Sequence, residues 1–250
     1  MKTTEKFSGK ASYYTAGRPA YSEKLIEYIY SNGFSKESVI ADIGSGTGIF
    51  ARQLLEKDSA VYCVEPNDDM RAAAESELSA FDKFVSVNGT ASDSTLESDS
   101  VDFITCAQAF HWFNIEAFKA ECKRILKPNG RVVLIWNTRD MNAPVNRECA
   151  AVCEKYCPAF QGFNGGINNN EDRISQFFGG DFEIKAFENH LEYDENKFIN
   201  RMLSSSYSLS PADSQYLEYV EALKSVFEKH TSKGILTLPN NSVAYIGYIQ

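Results

Sequence analysis

Histidine and tryptophan are scarce in this sequence, and long apolar runs are missing. Of 250 residues, three are histidine and two are tryptophan. No stretch approaches the roughly 20 apolar residues that a membrane-spanning helix needs, so we expect no membrane partner. The first ten residues, MKTTEKFSGK, contain no apolar core of a signal peptide. These absences together predict a cytoplasmic protein.

Long basic runs are missing as well. The formal net charge is −9, and the densest basic cluster is Lys123-Arg124 with Lys127 nearby. That cluster lies at a predicted helix end, where cations complement the helix dipole. A nucleic-acid-binding domain usually carries a basic face, so nucleic acid is disfavoured as a partner.

The sequence also lacks the residues that a metal site needs. Among six cysteines, Cys149, Cys153 and Cys157 recur every four residues and therefore share one face of a predicted helix. No histidine or further cysteine lies at ligand spacing from them. We predict no metal site and interpret these thiols as buried and free.

What is present is an alternation of apolar strands and amphipathic helices. Strands are predicted over SVIADIG (Ser38–Gly44), AVYCVEP (Ala60–Pro66), FVSV (Phe84–Val87), VDFITCAQ (Val101–Gln108) and RVVLIW (Arg131–Trp136). Asn67 and Asn114 are predicted to cap two of the intervening helices, and Pro128-Asn129-Gly130 to end the second one. This alternation indicates an α/β fold with a doubly wound, mostly parallel sheet covered by helices on both faces.

The pattern changes after Trp136. A helix is predicted from Met141, a strand over Asp181–Asp194, and two helices that end near His230. The segments ILTL and VAYIGYI, separated by a Pro239-Asn240-Asn241 turn, read as closing strands. We expect this part to complete the sheet and to supply a helical cap inserted within it.

The first strand runs into DIGSGTG, Asp42 to Gly48, which is the main chemical signal. Glycines at a strand end let the backbone turn tightly and approach a ligand closely, with the next helix aiming its N–H groups at that ligand. Glu65 ends the second strand, 21 residues beyond Gly44, where an acid can accept both hydroxyls of a ribose. The dinucleotide pattern G-x-G-x-x-G fails because Ile49 replaces its third glycine, and no lysine follows as in a P-loop.

Four stretches carry a family resemblance: VIADIGSGTG, VEP, GTASDSTLESDSVDFITCAQAFHWF and RILKPNGRVVLIW. With them the chain resembles class I S-adenosylmethionine-dependent methyltransferases, and more narrowly it is similar to the type 11 group that includes trans-aconitate methyltransferases. The resemblance is strong over residues 13–137 and beyond them holds only in layout. It implies a Rossmann-like methyltransferase fold, a seven-stranded sheet whose last two strands form an antiparallel hairpin.

The same resemblance implies S-adenosylmethionine as cofactor and assigns residues to its parts. Its methionine part would be lined by Gly44, Ser45, Gly46 and Gly48, its ribose hydroxyls held by Glu65, and its adenine packed near Pro66 and Met70. Ala91 and Ser92 follow the third strand, at the edge where relatives read the adenine. Relatives usually have an acid at the position of Ser92, whereas this chain has one only at Asp93, so both are candidates.

An N-terminal lid is also implied, because relatives carry a tyrosine four residues before an Arg-Pro pair. That pattern maps onto Tyr14 and Arg18-Pro19. Arg18 is then either a partner for a carboxylate of cofactor or substrate or a solvated arginine. We accordingly divide the chain, as one structural domain overall, into a lid and first helix (1–37), a cofactor-binding core (38–137), and the completed sheet with its cap (138–250).

The end of the fourth strand, AQAFHWF, is expected to border the reaction site. Ligands of doubly wound folds lie beyond the carboxyl ends of the strands. Gln108 is therefore predicted to contact the methionine end of the cofactor. His111 is predicted to lie at the active site, either as a base or as a donor to a substrate carboxylate. Trp112 is predicted to pack under the next helix. After the fifth strand, Arg139 is expected either to bind an anionic substrate or to tie down a loop.

These features predict an S-adenosylmethionine-dependent methyltransferase that acts on a small molecule, with O-methylation of a small carboxylic acid as the more specific hypothesis. Two alternatives are a non-catalytic S-adenosylmethionine-binding protein and a short-chain NAD(P)-dependent reductase. The reductase needs a Tyr-x-x-x-Lys pair near the fourth and fifth strands, but Tyr193 and Lys197 follow the sixth. The oligomeric state is open between monomer and homodimer.

Overall fold

The computed structural model describes residues 19–163, 170–205 and 207–249. The predicted contacts of Tyr14 and Arg18 lie outside these ranges. Within them, none of the helices combines the length and the apolar character that crossing a membrane requires.

Strands and helices alternate through the first half of the chain, as predicted. The strands are β1 (Val39–Ile43), β2 (Ala60–Val64), β3 (Phe84–Val87), β4 (Val101–Ala107), β5 (Leu126–Arg139), β6 (Phe182–Glu188), β7 (Leu191–Tyr193), β8 (Leu236–Leu238) and β9 (Asn240–Gly247). The helices are α1 (Glu23–Ser31), α2 (Ile49–Leu55), α3 (Asp68–Leu78), α4 (Ile115–Ile125), α5 (Pro144–Tyr156), α6 (Asn170–Phe178), α7 (Glu195–Leu203) and α8 (Tyr216–His230).

Seven of these strands form one sheet in the order β3-β2-β1-β4-β5-β9-β6. Parallel pairs join β1 to β2 and β4, β2 to β3, and β4 to β5. The chain order reverses between β1 and β4, which is where ligands of such sheets bind. The predicted doubly wound, mostly parallel sheet is confirmed.

Two apolar cores lie on opposite faces of this sheet. On one face, Phe118 of α4 and Phe177 of α6 pack over Ile104 of β4. On the other face, Leu25 of α1 and Phe50 of α2 belong to a second cluster. Because both faces are covered, the central strands are nearly continuous apolar runs, as expected for buried parallel strands.

The junction between α4 and β5 differs from the prediction. The helix ends at Ile125 and the strand begins at once, instead of after a Pro128-Asn129-Gly130 stop. Strand pairing jumps from Val101–Leu126 to Phe103–Arg131, which marks a bulge. The extra residues are tolerated because Asn129 adopts a left-handed conformation with φ of 68°.

The end of the sheet is antiparallel, as predicted, but its two last strands are not joined by a short hairpin. Strand β9 lies between β5 and β6 and is antiparallel to both. The segment 189–239 connects β6 to β9 and contains α7, α8 and the two-stranded sheet of β7 and β8. The predicted closing turn at Asn240-Asn241 is also wrong, since β9 already begins at Asn240.

Helices α5, α7 and α8 form a separate apolar cluster, here called the cap. Cys149 and Cys153 of α5, together with Cys157, are buried in or beside it as free thiols. Within the described ranges, no group of three or more His, Cys, Asp or Glu side chains is arranged to hold a metal ion. Asn146 of α5 ties the cap to the sheet by donating from Nδ2 to the carbonyl of Pro239 at 2.7 Å.

Candidate active site

A cavity of about 360 Å³ opens at the carboxyl ends of the central strands. Its volume falls in the range of roughly 300–1,000 Å³ that is usual for small-molecule sites. The walls come from the turn after β1, the ends of β2 and β4, the loop after β3, and one helix of the cap. They include Pro19, Tyr21, Gly44, Ser45, Gly46, Thr47, Glu65, Pro66, Asn67, Met70, Thr90, Ala91, Ser92, Gln108, Trp112, Phe113, Asn137 and Arg201.

The turn after β1 is shaped by three glycines in the left-handed region. Gly44, Gly46 and Gly48 have φ of 71°, 57° and 78°, angles that other residues adopt only with strain. A Cβ on Gly44 would lie 2.7 Å from Cβ of Ala109, whereas one on Gly46 would meet nothing within 4 Å. Gly44 is therefore needed for packing, and Gly46 leaves open space beside the cavity.

Glu65, directly after β2, lines the cavity and contacts this turn. Its Oε2 accepts from the backbone N–H of Gly46 and its Oε1 from that of Asn67, both at 2.9 Å. Burial raises the pKa of Glu65, while these two N–H groups and Arg71 oppose the rise. Each carboxylate oxygen retains a lone pair for a ligand hydroxyl.

The loop after β3 brings the next predicted residues to the cavity. Ala91 and Ser92 line it together with Thr90, but Asp93 is absent from its walls. The backbones of Thr90 and Asp93 pair at 2.8 Å, so the intervening residues form a narrow turn. Asp93 instead contributes to raising the pKa of Arg124, so its carboxylate lies toward that side chain. Of the two candidates, Ser92 is the one at the cavity.

Gln108 follows β4 with φ of 57°, a left-handed conformation that is uncommon outside glycine. Its side chain lines the cavity and donates from Nε2 to the carbonyl of Asn137 at 3.0 Å. Asn137 is fixed in turn, because its Oδ1 accepts from Asn189 at 3.0 Å and from Ser242 at 2.6 Å. Residues far apart in sequence therefore meet where β4 and β5 end and β9 begins, and no local pattern predicts that meeting.

The prediction for Trp112 is wrong. Trp112 lies in a 3₁₀ turn over Phe110–Trp112, its side chain is 41% exposed, and it lines the cavity. The apolar space under the next helix is filled by Phe110 and Phe118, with ring centroids 6.1 Å apart. Trp112 is thus pushed outward into the cavity wall.

His111 lies beside the cavity rather than among its lining residues. Its ring centroid is 4.7 Å from that of Trp112. It follows β4 by four residues, and its predicted role as a base stays a prediction.

Asp42 is a buried carboxyl beneath the glycine turn. It is 1% exposed, and its Oδ1 accepts from the hydroxyl of Thr105 at 2.7 Å. Its Oδ2 has no hydrogen-bond partner among the described residues. Burial raises the pKa of Asp42 to about 7, with a smaller contribution from Glu65.

Arg139 extends from the end of β5 into the cap and not into the cavity. Its guanidinium carbon lies 3.7 Å from the ring centroid of Phe163, and its Nη2 is 3.3 Å from Sδ of Met202. Of the two roles expected for Arg139, these contacts match that of tying down a loop. Among the described residues, the cation that lines the cavity is Arg201 of α7. Sequence reasoning missed it because the register of a cap helix cannot be read from one sequence.

Residues 41–134 match the family model of a methyltransferase domain. An uncharacterized methyltransferase of Schizosaccharomyces pombe is 32% identical over 172 residues, which are 68% of this chain and 64% of that protein. The chain spans between 53% and 64% of the length of the curated relatives that it matches first.

Solved structures share the fold at lower identity. One is a protein of Anaeromyxobacter dehalogenans, assigned provisionally as a type II methyltransferase, with 19% identity, a TM-score of 0.61, and coverage of 93% of this chain and 98% of that one. Another is an S-adenosylmethionine-dependent methyltransferase of Geobacter sulfurreducens in complex with S-adenosyl-L-homocysteine, with 15% identity, a TM-score of 0.50, and coverage of 97% of both chains. The sheet described above therefore has the Rossmann-like fold of S-adenosylmethionine-dependent methyltransferases.

The buried carboxyl of Asp42 predicts a pH-dependent stability. Because its folded pKa of about 7 exceeds the ordinary aspartate value of 3.8, the folded state holds a proton that the unfolded chain releases. We expect the free energy of unfolding to fall as pH rises from about 4 to about 7, by on the order of a few kcal/mol. Asp42→Asn removes this titration, so the variant should match the wild type near the low end of that window and exceed it above the window. Urea unfolding of both proteins at the two ends measures this. An equal difference at both pH values contradicts it.

Proposed function

We propose that this protein transfers a methyl group from S-adenosylmethionine to a small molecule. The observation that carries the proposal is the Glu65 carboxylate, which lies at the end of β2, bonded to the glycine turn, inside a cavity of ligand size. An acid at that point can accept the paired hydroxyls of a ribose. When bound, this cofactor supplies a methyl group already activated by a sulfonium, so the protein's part is to bind, orient and exclude water.

The residues present fit the polar and apolar parts of such a cofactor. Ser45 Oγ and Thr47 Oγ1 are buried beside the turn without hydrogen-bond partners among the described residues. A polar amino-acid moiety would satisfy groups of this kind. Met70 is 3% exposed and gives the opposite wall an apolar surface for a flat base, with Ser92 at its polar edge.

Gln108 and Asn137 are proposed to mark the position of the transferred methyl group. They lie at the carboxyl ends of β4 and β5, and both line the cavity. The hydrogen bond between them, at 3.0 Å, holds the side chain of Gln108 in one orientation. A fixed donor and acceptor at this point would keep the methionine end of the cofactor aligned with the acceptor.

For the acceptor, we propose a small carboxylic acid that is methylated on oxygen. The support is the pair of arginines near Tyr207. Burial raises the pKa of Tyr207, and both Arg139 and Arg201 oppose that rise, so both cations lie within electrostatic reach of one ring. Nη1 of Arg139 is buried without a hydrogen-bond partner among the described residues. A carboxylate entering beside Arg201 would be attracted by both charges.

An acid acceptor is also what the resemblance to trans-aconitate methyltransferases implies. The choice of an acid as acceptor also bears on the role of His111. A carboxylate is ionised at neutral pH and attacks without a general base, whereas a hydroxyl, an amine or a carbon acid often needs one. In this proposal His111 supports the wall at Trp112 and is not needed to remove a proton.

Binding of S-adenosylhomocysteine should depend on Glu65. Glu65→Gln removes the charge that accepts the ribose hydroxyls while keeping the side chain's shape, so we expect roughly 100-fold weaker binding. Isothermal titration calorimetry measures it, with Glu75→Gln on the exposed face of α3 as the matched control. Preference of the wild type for NADPH over S-adenosylhomocysteine would overturn the cofactor assignment. Binding without turnover on any acceptor would leave a non-catalytic binding protein.

Methylation of small acids should depend on Arg201. With a panel of small mono-, di- and tricarboxylic acids and tritiated cofactor, we expect product from at least one acid and none from its amide. Arg201→Gln should raise KM for that acid by roughly tenfold to a hundredfold, because a charge-assisted hydrogen bond is lost. Arg147→Gln, an exposed arginine on α5, is the control. Equal methylation of acid and amide would contradict the acceptor class.

Substitution of His111 tests the chemistry of the acceptor. With a carboxylic acid as acceptor, His111→Ala should change kcat by less than about threefold, since no proton has to be removed in the reaction. The exposed His190→Ala is the control. Two results together would identify His111 as a general base and argue against a carboxylate acceptor. One is a fall of about a hundredfold or more in the kcat of the variant, and the other is a bell-shaped or sigmoidal pH profile of kcat in the wild type.

A further inference from the structure

Helix α6 makes an unusual polar contact with the turn that follows β4. Nη2 of Arg173 donates to the backbone carbonyl of Phe113 at 2.9 Å, and its guanidinium carbon lies 5.8 Å from the ring centroid of Phe110. Among the described residues, no carboxylate lies within 4 Å of Arg173. The cation is therefore directed at a main-chain oxygen instead of an acid.

The helix itself is held in place without this hydrogen bond. Phe177 of α6 is fully buried, and its ring lies edge-on to Phe110 and stacked on Phe118, with both centroid distances 5.1 Å. Phe178 is fully buried as well. Burial of such aromatic rings contributes far more to stability than one polar contact at a partly exposed site. The hydrogen bond of Arg173 is therefore not needed to hold α6 in place.

What Arg173 does hold is one wall of the cavity. Phe113 lines the cavity, and its ring occupies the space that Gly44 leaves open, since a Cβ on Gly44 would lie 3.1 Å from Cζ of that ring. Phe113 ends the 3₁₀ turn in an extended conformation, with φ of −89° and ψ of 148°. A donor on its carbonyl therefore fixes the peptide that orients a ring packed against the glycine turn.

We infer that Arg173 is a positioning residue for cofactor binding, acting through the carbonyl of Phe113 on the wall shared by Phe113 and Gly44. This rests on the proposed function, because it takes the cavity to be the site of S-adenosylmethionine. Without the donor, the Phe113 peptide can rotate, and the ring no longer closes the wall beside the cofactor. Loss of the donor therefore weakens cofactor binding and not the stability of the fold, because the apolar contacts of Phe177 hold α6 in place.

The test compares three variants for affinity and for stability. Arg173→Met keeps the length of the side chain over Phe110 and removes the donor, and Arg173→Lys keeps a donor. Gln176→Ala removes a different polar contact of the same helix, a hydrogen bond to Glu116 at 3.2 Å. S-adenosylhomocysteine is titrated by calorimetry and by fluorescence of Trp112, in a Trp136→Phe background that leaves one tryptophan. Thermal unfolding without ligand gives the stability of each.

We expect the methionine variant to bind S-adenosylhomocysteine about tenfold more weakly, and both the lysine variant and Gln176→Ala to stay within about threefold of the wild type. The Trp112 emission of the methionine variant should differ from that of the wild type before ligand is added. The unfolding temperatures without ligand should differ little.

Two results overturn the inference while leaving the proposed function intact. One is wild-type affinity in the methionine variant, and the other is a loss of affinity in Gln176→Ala equal to that in the methionine variant. Absence of S-adenosylhomocysteine binding in the wild type overturns the proposed function and this inference with it. If Arg173→Met does not fold, Arg173→Leu, which also lacks a donor, is titrated in its place, with the same expected loss.

Discussion

The turn from β1 into α2 is the constraint on which the rest of the site depends. Gly44 is crowded by Ala109 and Phe113, Gly48 by Leu78 of α3, and Gly46 is open. Each glycine has a positive φ, so a side chain would meet a conformational penalty at all three positions, and a steric penalty as well at Gly44 and Gly48. The turn after β4 approaches the end of β1 closely because Gly44 has no Cβ atom. Helix α3 approaches it closely because Gly48 has none.

That approach also explains the electrostatics around the turn. Asp42, Cys63 and Cys106 are enclosed beneath it, and burial raises the pKa of all three. This buried floor faces Glu65, whose carboxylate accepts from two backbone N–H groups. The cavity thus combines a hydrogen-bonded carboxylate with a buried floor, which suits a ligand that is part sugar and part amino acid.

Most of the residues proposed to bind the cofactor could be predicted from the sequence, because each is placed by its own strand. The glycines follow β1, the acid follows β2 and Gln108 follows β4, so each is defined by its position at the end of one strand. Parallel strands bring these ends together. Arg201 and Phe113 could not be found in this way. Arg201 reaches the cavity from a cap helix whose orientation depends on tertiary packing, and Phe113 matters through its contact with Gly44, 69 positions earlier. Trp112 was misjudged because two phenylalanines fill the space that it was expected to occupy.

Strand β9 has a further consequence, for the order in which the molecule is assembled. It lies between β5 and β6, yet it is made after both and after the whole cap. Until residues 240–247 are available, the apolar strand β5 has an open edge in the middle of the future sheet, and β6 has nothing to pair with. Exposed strand edges pair readily with other chains. During synthesis, the nascent chain is therefore most vulnerable to aggregation just before its final sheet strand is made, when the cofactor half can already be compact.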